Sequence, residues 1–119
     1  MAKRALIYCR SKVQERINDQ MVSCRALAEK EQFEIVFEQF GPLSVSASTP
    51  YERRADLQDI VKRAKNGDFD VLIFSKVSRI GRSMEVVLPF LRDMKQYGIE
   101  VYSVDCEKLS DSDALQMLL

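Results

Sequence analysis

Seven cations and seven hydroxyl side chains crowd into the short segments that would link regular elements. The bases are Arg10, Lys12, Arg53, Arg54, Lys76, Arg79 and Arg82, and the hydroxyls are Ser11, Ser44, Ser46, Ser48, Ser75, Ser78 and Ser83. Arginines beside a serine lower the effective pKa of its hydroxyl and neutralise charge growing on phosphorus-bound oxygens. The combination therefore suits phosphoryl transfer by hydroxyl attack. No carboxylate pair accompanies these residues to chelate Mg²⁺, and no G-x-x-x-x-G-K-[ST] loop is present. Asp68-x-Asp70 and Asp111-x-Asp113 fall at a turn and a helix start, where capping accounts for them. The chain has no histidine, so a Ser-His-Asp or Cys-His mechanism within it is excluded. Its three cysteines, Cys9, Cys24 and Cys106, are odd in number and lack C-x-x-C spacing, which argues against a zinc site or a disulfide framework. Cys9 closes an apolar run and reads as a small buried hydrophobe. No metal and no cofactor is expected.

The elements that must position these residues follow from periodicity. Arg4–Cys9 is nearly all apolar, as a strand covered on both faces should be. Residues 18–31 carry Met21, Cys24 and Ala28 at helical spacing, joined by Val22 and Leu27. Residues 33–40 are rich in strand formers, and residues 41–51 form a Gly-, Pro- and Ser-rich loop. A helix is expected over about 52–66, with Leu57, Ile60, Val61 and Ala64 on one face and Gly67 as its left-handed stop. A third strand over 70–75, a polar loop over 76–82, a helix over 83–97 and a fourth strand over 99–104 follow. Ser110-x-x-Asp113 resembles a capping box for a last helix, residues 111–119. Alternating strands and helices predict an α/β fold: a three-layer αβα sandwich around a mostly parallel sheet of four to five strands. Sites in such folds lie at the carboxyl ends of the strands, where the loops holding Arg10–Lys12, 41–54, 76–82 and 105–110 would meet.

The chain has 119 residues, of which 46% are hydrophobic and 30% charged, which fits one globular domain and excludes a disordered or collagen-like chain. Eighteen bases balance eighteen acids, but the balance is uneven along the chain. Residues 1–16 carry +4, residues 17–52 carry −4, residues 53–92 carry +4 and residues 93–119 carry −4. The predicted topology brings bases of both positive blocks to one end of the sheet, where they would form an anion site. No apolar run approaches the roughly 18 residues of a membrane span, and the N-terminal run is too short for a secretory signal. A cytoplasmic protein without membrane association is therefore expected.

These residues resemble the catalytic domain of the serine recombinases, the resolvase/invertase family. Tyr8-Cys9-Arg10 is similar to the opening of the family's Tyr-x-Arg-Val-Ser, and Gln20 stands where a glutamine of the first helix is expected. Residues 41–57 resemble its mobile loop and the Arg-Pro-x-Leu element that follows, here Arg54-Ala55-Asp56-Leu57. The most specific match is Lys76-Val77-Ser78-Arg79-Ile80-Gly81-Arg82, similar to Lys-Leu-Asp-Arg-Leu-Gly-Arg. The resemblance covers nearly the whole chain. It implies a resolvase-like catalytic domain over residues 1–109. Residues 110–119 would begin a C-terminal, dimerisation-type helix, cut short, with the DNA-binding domain absent. It further implies DNA as partner, a homo-oligomer (a dimer, and a tetramer in synapsis) and a reaction without metal or nucleotide. In that reaction a serine takes up a DNA 5′ phosphate, and strands are exchanged and rejoined in resolution, inversion or integration of mobile DNA.

The resemblance assigns catalytic roles to Ser11, Arg10, Arg54, Arg79 and Arg82, and phosphate or DNA contacts to Tyr8, Lys12, Gln20 and Lys76. The sequence departs from the pattern at three places. Ser11-Lys12 replaces Val-Ser after the arginine: read without a gap, Lys12 occupies the nucleophile's position, whereas one deletion makes Ser11 the nucleophile and restores the spacing to Gln20. Ser78 replaces the acidic residue of the Asp-Arg-Leu-Gly-Arg element. Gln39 or Phe40 stands where an acidic residue precedes the mobile loop. The alternative is a catalytically degenerate resolvase-like module acting in DNA association or oligomerisation. A receiver-type or nucleotide-binding α/β domain is disfavoured, because no acidic cluster follows the first strand and no Gly-rich turn is present. Facing guanidinium groups of Arg10, Arg54, Arg79 and Arg82 around one pocket, with Ser11 nearby, are the expected geometry.

Overall fold

Along β1 (Arg4–Cys9) side chains alternate between the two faces of a sheet, and that alternation sorts the core in two. In the computed structural model, which describes residues 2–11, 13–41 and 49–109, Ala5, Ile7 and Cys9 pack on one face with Val71, Ile73 and Tyr102. Leu6 and Tyr8 pack on the other with Leu72 and Phe74. The first face is covered by α1 (Gln14–Lys30) through Ile17, Met21, Cys24, Leu27 and Ala28. Cys9 and Cys24 are both buried there as free thiols. The second face is covered by α2 (Ala55–Lys65), through Leu57, Ile60 and Ala64, and by α3 (Met84–Gln96), through Val86, Val87, Phe90, Leu91 and Met94. The three-layer α/β sandwich expected from the sequence is the fold observed.

β2 (Glu34–Phe40), β1, β3 (Val71–Phe74), β4 (Glu100–Ser103) and β5 (Glu107–Lys108) form one sheet in the order β2-β1-β3-β4-β5. The first four strands are parallel; β5 pairs antiparallel with β4, Tyr102 opposite Lys108 and Ser103 opposite Glu107. A two-residue strand gives no periodic signal, so this segment reads as loop in the sequence. Gly67 and Gly98 close α2 and α3 with φ of 75° and 73°, the left-handed conformation that glycine adopts without steric cost.

Two helix starts differ from expectation. α1 begins at Gln14, four residues before the expected start, because Ile17 supplies a first buried contact and Val13 caps the helix with its carbonyl, accepting from Arg16 and Ile17 N–H. The helix expected from 52 is broken: Tyr51–Arg53 is a single 3₁₀ turn, Arg54 leaves helical conformation at φ −83°, ψ 86°, and α2 starts at Ala55. Lys12, residues 42–48 and the expected final helix over 110–119 lie outside the described residues. Among the described residues no helix is long and apolar enough to cross a membrane.

Candidate active site

The strand order turns back at β1: the chain leaves it for β2 on one side and returns to β3 on the other. In parallel α/β sheets the crevice outside the carboxyl ends of such strands is where ligands bind. Arg10 and Ser11 follow β1 there, and Ser75 to Arg82 follow β3.

Arg10 is held at both its backbone and its side chain. The Gln20 amide reaches across from α1, accepting Arg10 N–H through Oε1 at 3.1 Å and donating from Nε2 to the Arg10 carbonyl at 3.1 Å. The guanidinium donates from Nε to the Arg79 carbonyl at 2.7 Å and from Nη2 to the Ser78 carbonyl at 3.3 Å. Burial holds the Arg10 guanidinium below its ordinary pKa, with the Arg54 and Arg79 charges acting in the same direction and Tyr8 and Asp56 opposing. Ser11 is buried, and its Oγ accepts Val13 N–H at 3.1 Å where α1 begins.

Gly41, directly after β2, sits over this arrangement. A Cβ at that position would lie 2.6 Å from Arg10 Cγ, 2.8 Å from the Tyr8 hydroxyl and 3.0 Å from Arg10 Cδ. Gly41→Ala is therefore expected to destabilise the domain by about 1–3 kcal/mol and to displace the Arg10 guanidinium, which chemical denaturation and a crystal structure of the variant would register. Gln20→Ala strands a buried N–H and C=O of Arg10, at about 1–3 kcal/mol for each group left unsatisfied. Urea denaturation should show this loss, and Gln20→Glu, which keeps one of the two hydrogen bonds, should recover part of it.

Beside Arg10, Arg79 and Lys76 line a cleft of about 410 Å³ together with Ser75 and, from α1, Arg16, Asp19, Gln20 and Ser23. Three cations thus face one carboxylate. The Arg79 Nε–H and the Ser75 hydroxyl are buried and have no hydrogen-bond partner among the described residues. Buried donors are rarely left so, and an acceptor-only ligand such as a phosphate would satisfy them. Among the described residues no group of acidic, histidine or cysteine side chains is placed to hold a metal ion.

Arg54 turns away from the cleft. It is fully buried, donating from Nε and Nη2 to the two oxygens of Asp56 at 3.0 Å each, from Nη2 to the Tyr8 hydroxyl at 2.9 Å, and from Nη1 to the Ile80 carbonyl. The Tyr8 hydroxyl donates to Asp56 Oδ2. Burial opposes ionisation of Asp56, but the bonds from Arg54 and Tyr8 outweigh it and leave the carboxyl below the ordinary carboxylate value. Burial and the Asp56 charge push the Tyr8 phenol well above its usual range.

The structure thus places Gln20, Lys76 and Arg79 on one cleft and ties Arg10 to Gln20 and to the Arg79 carbonyl, whereas neither Arg10 nor Ser11 lines the cleft itself, which corrects the expectation of four guanidiniums around one pocket with Ser11 beside them. Arg54 is fully engaged by protein groups. Arg82 is exposed just before α3 and does not line the cleft. Tyr8 and Gln20, expected to touch phosphate, instead bond to Asp56 and Arg54 and to the Arg10 backbone, respectively. Sequence reasoning missed Asp56, Gly41 and Arg16. Arg-x-Asp over 54–56 was the signal for the first, and a glycine directly after a strand for the second.

The doubly wound sheet thus carries, at its turning point, a cleft lined by three cations, two serines, a glutamine and one carboxylate. The model of the resolvase N-terminal domain family matches residues 5–119, and the chain belongs to that family. Its fold is shared with the N-terminal catalytic domain of TP901-1 integrase (TM-score 0.77, 21% identity, 97% of this chain and 88% of that one). It is shared also with a resolvase family site-specific recombinase from Streptococcus pneumoniae (TM-score 0.75, 20% identity, 97% and 80%). A third is the C-terminal catalytic domain of ISC1926 TnpA, an IS607-like serine recombinase (TM-score 0.73, 17% identity, 95% and 75%). At these identities the likeness is one of fold. No curated protein matches the chain.

Proposed function

We propose that the chain is the catalytic domain of a serine site-specific recombinase, with DNA as substrate and Ser11 as nucleophile. Ser11 Oγ attacks a backbone phosphorus. The new Ser11 O–P bond forms as the P–O3′ bond breaks, the serine proton is lost, and the 3′ oxygen leaves and takes up a proton. The 5′ phosphate is stored on the serine until a 3′ hydroxyl reverses the step and rejoins a strand.

The Val13 N–H at the start of α1 donates to the serine oxygen and favours it as negative charge develops. Arg79, with Lys76 and Arg10 beside it, supplies the positive charge that meets the phosphate oxygens. The observation that carries the reading is the buried Nε–H of Arg79, unpaired among the described residues, in a cleft lined by three cations, tied through the Arg79 carbonyl to the arginine that precedes Ser11. Oligomerisation, with a dimer and a synaptic tetramer, belongs to the same proposal.

The test is incubation with a supercoiled plasmid carrying the DNA that flanks the protein's own gene. A covalent protein–DNA adduct is expected from the wild type and none from Ser11→Ala; equal adduct in that variant removes Ser11 from the role. One observation favours a second reading, a resolvase-like module that associates with DNA or oligomerises without cutting: the Arg54 charge is neutralised internally by Asp56. That reading predicts DNA retention or self-association with no adduct from any form of the protein.

A further inference from the structure

Three successive carbonyls of the segment that carries Arg79 are each held by a guanidinium. Arg10 takes those of Ser78 and Arg79, and Arg54 takes that of Ile80. The segment is a 3₁₀ turn, Val77–Arg79, whose internal bonds run from the N–H groups of Arg79, Ile80 and Gly81 to the carbonyls of Lys76 and Val77. Its later carbonyls have no partner within so short a turn, so something outside must take them.

A buried guanidinium serves that purpose only if its own charge is compensated. For Arg54 the compensating group is Asp56, which takes the Nε and Nη2 donors and leaves Nη1 aimed at Ile80. Asp56 is itself fixed: its backbone carbonyl accepts Gln39 Nε2 from β2 at 3.0 Å, and its carboxylate accepts the Tyr8 hydroxyl.

We infer that Asp56 is a positioning residue of the site: through Arg54 it holds the backbone of the Val77–Ile80 turn so that the Arg79 side chain lies along the cleft. The inference rests on the reading of that cleft as a phosphate site. It gives Arg54 a different duty from the catalytic role that the resemblance implied. Arg54 carries no net charge to the cleft and instead joins β1, the start of α2 and the β3–α3 turn into one unit.

The experiment compares wild type, Arg54→Met/Asp56→Asn and Arg54→Lys. The double variant removes both buried charges together and keeps an acceptor for Tyr8, so no uncompensated charge is left in the core. Arg54→Lys keeps the charge opposite Asp56, but an ammonium lacks the planar fork that spans Asp56 and Ile80 at once. Amide exchange of Arg79, Ile80 and Gly81 is followed by NMR, together with the Arg79 Nε–H resonance during titration with inorganic phosphate.

With the clamp on Ile80 lost, those three amides should exchange about tenfold faster in both variants while the amides of α2 and α3 hold, and the phosphate midpoint should weaken about tenfold. A purely structural pair predicts the opposite: wherever either variant is as stable as wild type, turn exchange and phosphate affinity equal those of wild type, and that result overturns the inference. If the double variant fails to fold, Arg54→Lys decides alone. Absence of a covalent DNA adduct from wild type would sink the recombinase reading and leave the exchange result standing, so the two failures are distinguishable.

Discussion

Asp56→Asn should cost about 3–5 kcal/mol of folding stability, because it removes the charge that compensates a guanidinium sealed from water. Arg54 is 0% exposed and Asp56 5%, so solvent cannot take over the missing role. Asparagine keeps the shape of the carboxylate and one acceptor oxygen, so the loss reports charge and hydrogen bonding more than packing. The effect has a pH signature. The Asp56 carboxyl is held below its ordinary value: burial works against the charged form, and the bonds from Arg54 and Tyr8 more than offset it. A depressed carboxyl contributes its stabilisation in full above the unfolded value of about 3.9 and loses it as pH falls through the lower folded-state value. The gap between wild type and Asp56→Asn in urea midpoint should therefore be widest near neutrality and narrow below about pH 4. A gap that stays constant to strongly acidic pH would contradict an ionised Asp56 in the fold.

Arg79→Ala should behave in the contrary way, removing activity and leaving stability untouched. The Arg79 Nε–H is buried without a partner among the described residues, so no bond from it to them is lost on substitution. Its carbonyl, which anchors Arg10, survives the substitution. Folding stability should change by no more than about 0.5 kcal/mol. Strand cleavage should fall by about 10²–10³, the range seen when one preorganised donor to a developing oxyanion is removed. The ratio of cleavage rates at saturating DNA measures this, and unchanged cleavage would exclude Arg79 from contact with the phosphate. Read together, the two variants separate what holds the site from what acts in it.

That division bears on what could be read in the sequence. The four parallel strands and the αβα layering were legible, because apolar runs such as 71–74 and helical stripes such as Val86-Phe90-Met94 have no other use. The gathering of Arg10, Lys76 and Arg79 was legible too, since cations directly after buried strands have few structural duties. Whether a given arginine meets solvent, ligand or another side chain was not legible. Arg54 and Asp56 stand two apart and look like ordinary charges at a helix start. Only the tertiary approach of Tyr8 and Ile80 makes them a buried pair. The phosphate contact of Gln20 rests on the resemblance alone, because Gln20 stands where the family has a glutamine of the first helix. The structure shows both ends of its amide on the Arg10 backbone. The start of α1 was missed because Ile17 stands alone among polar residues, and β5 because two residues carry no period.

The neutral overall charge likewise conceals the relevant quantity. The blocks of +4 at residues 1–16 and 53–92 supply Arg10, Arg16, Lys76 and Arg79, which meet at one edge of the sheet. Arg54, from the second block, is neutralised inside it.

Ser11, at the α1 start and next to Arg10 in the chain, is the residue proposed to take up the DNA phosphate. The most direct measurement is to form the protein–DNA adduct in the presence of EDTA, trim the DNA with nuclease and cleave the protein after glutamate, which releases residues 1–15 as one peptide. Mass spectrometry should place a nucleotide phosphate on Ser11. Its appearance on any other residue, or an adduct that forms only when a divalent metal is supplied, would contradict the account.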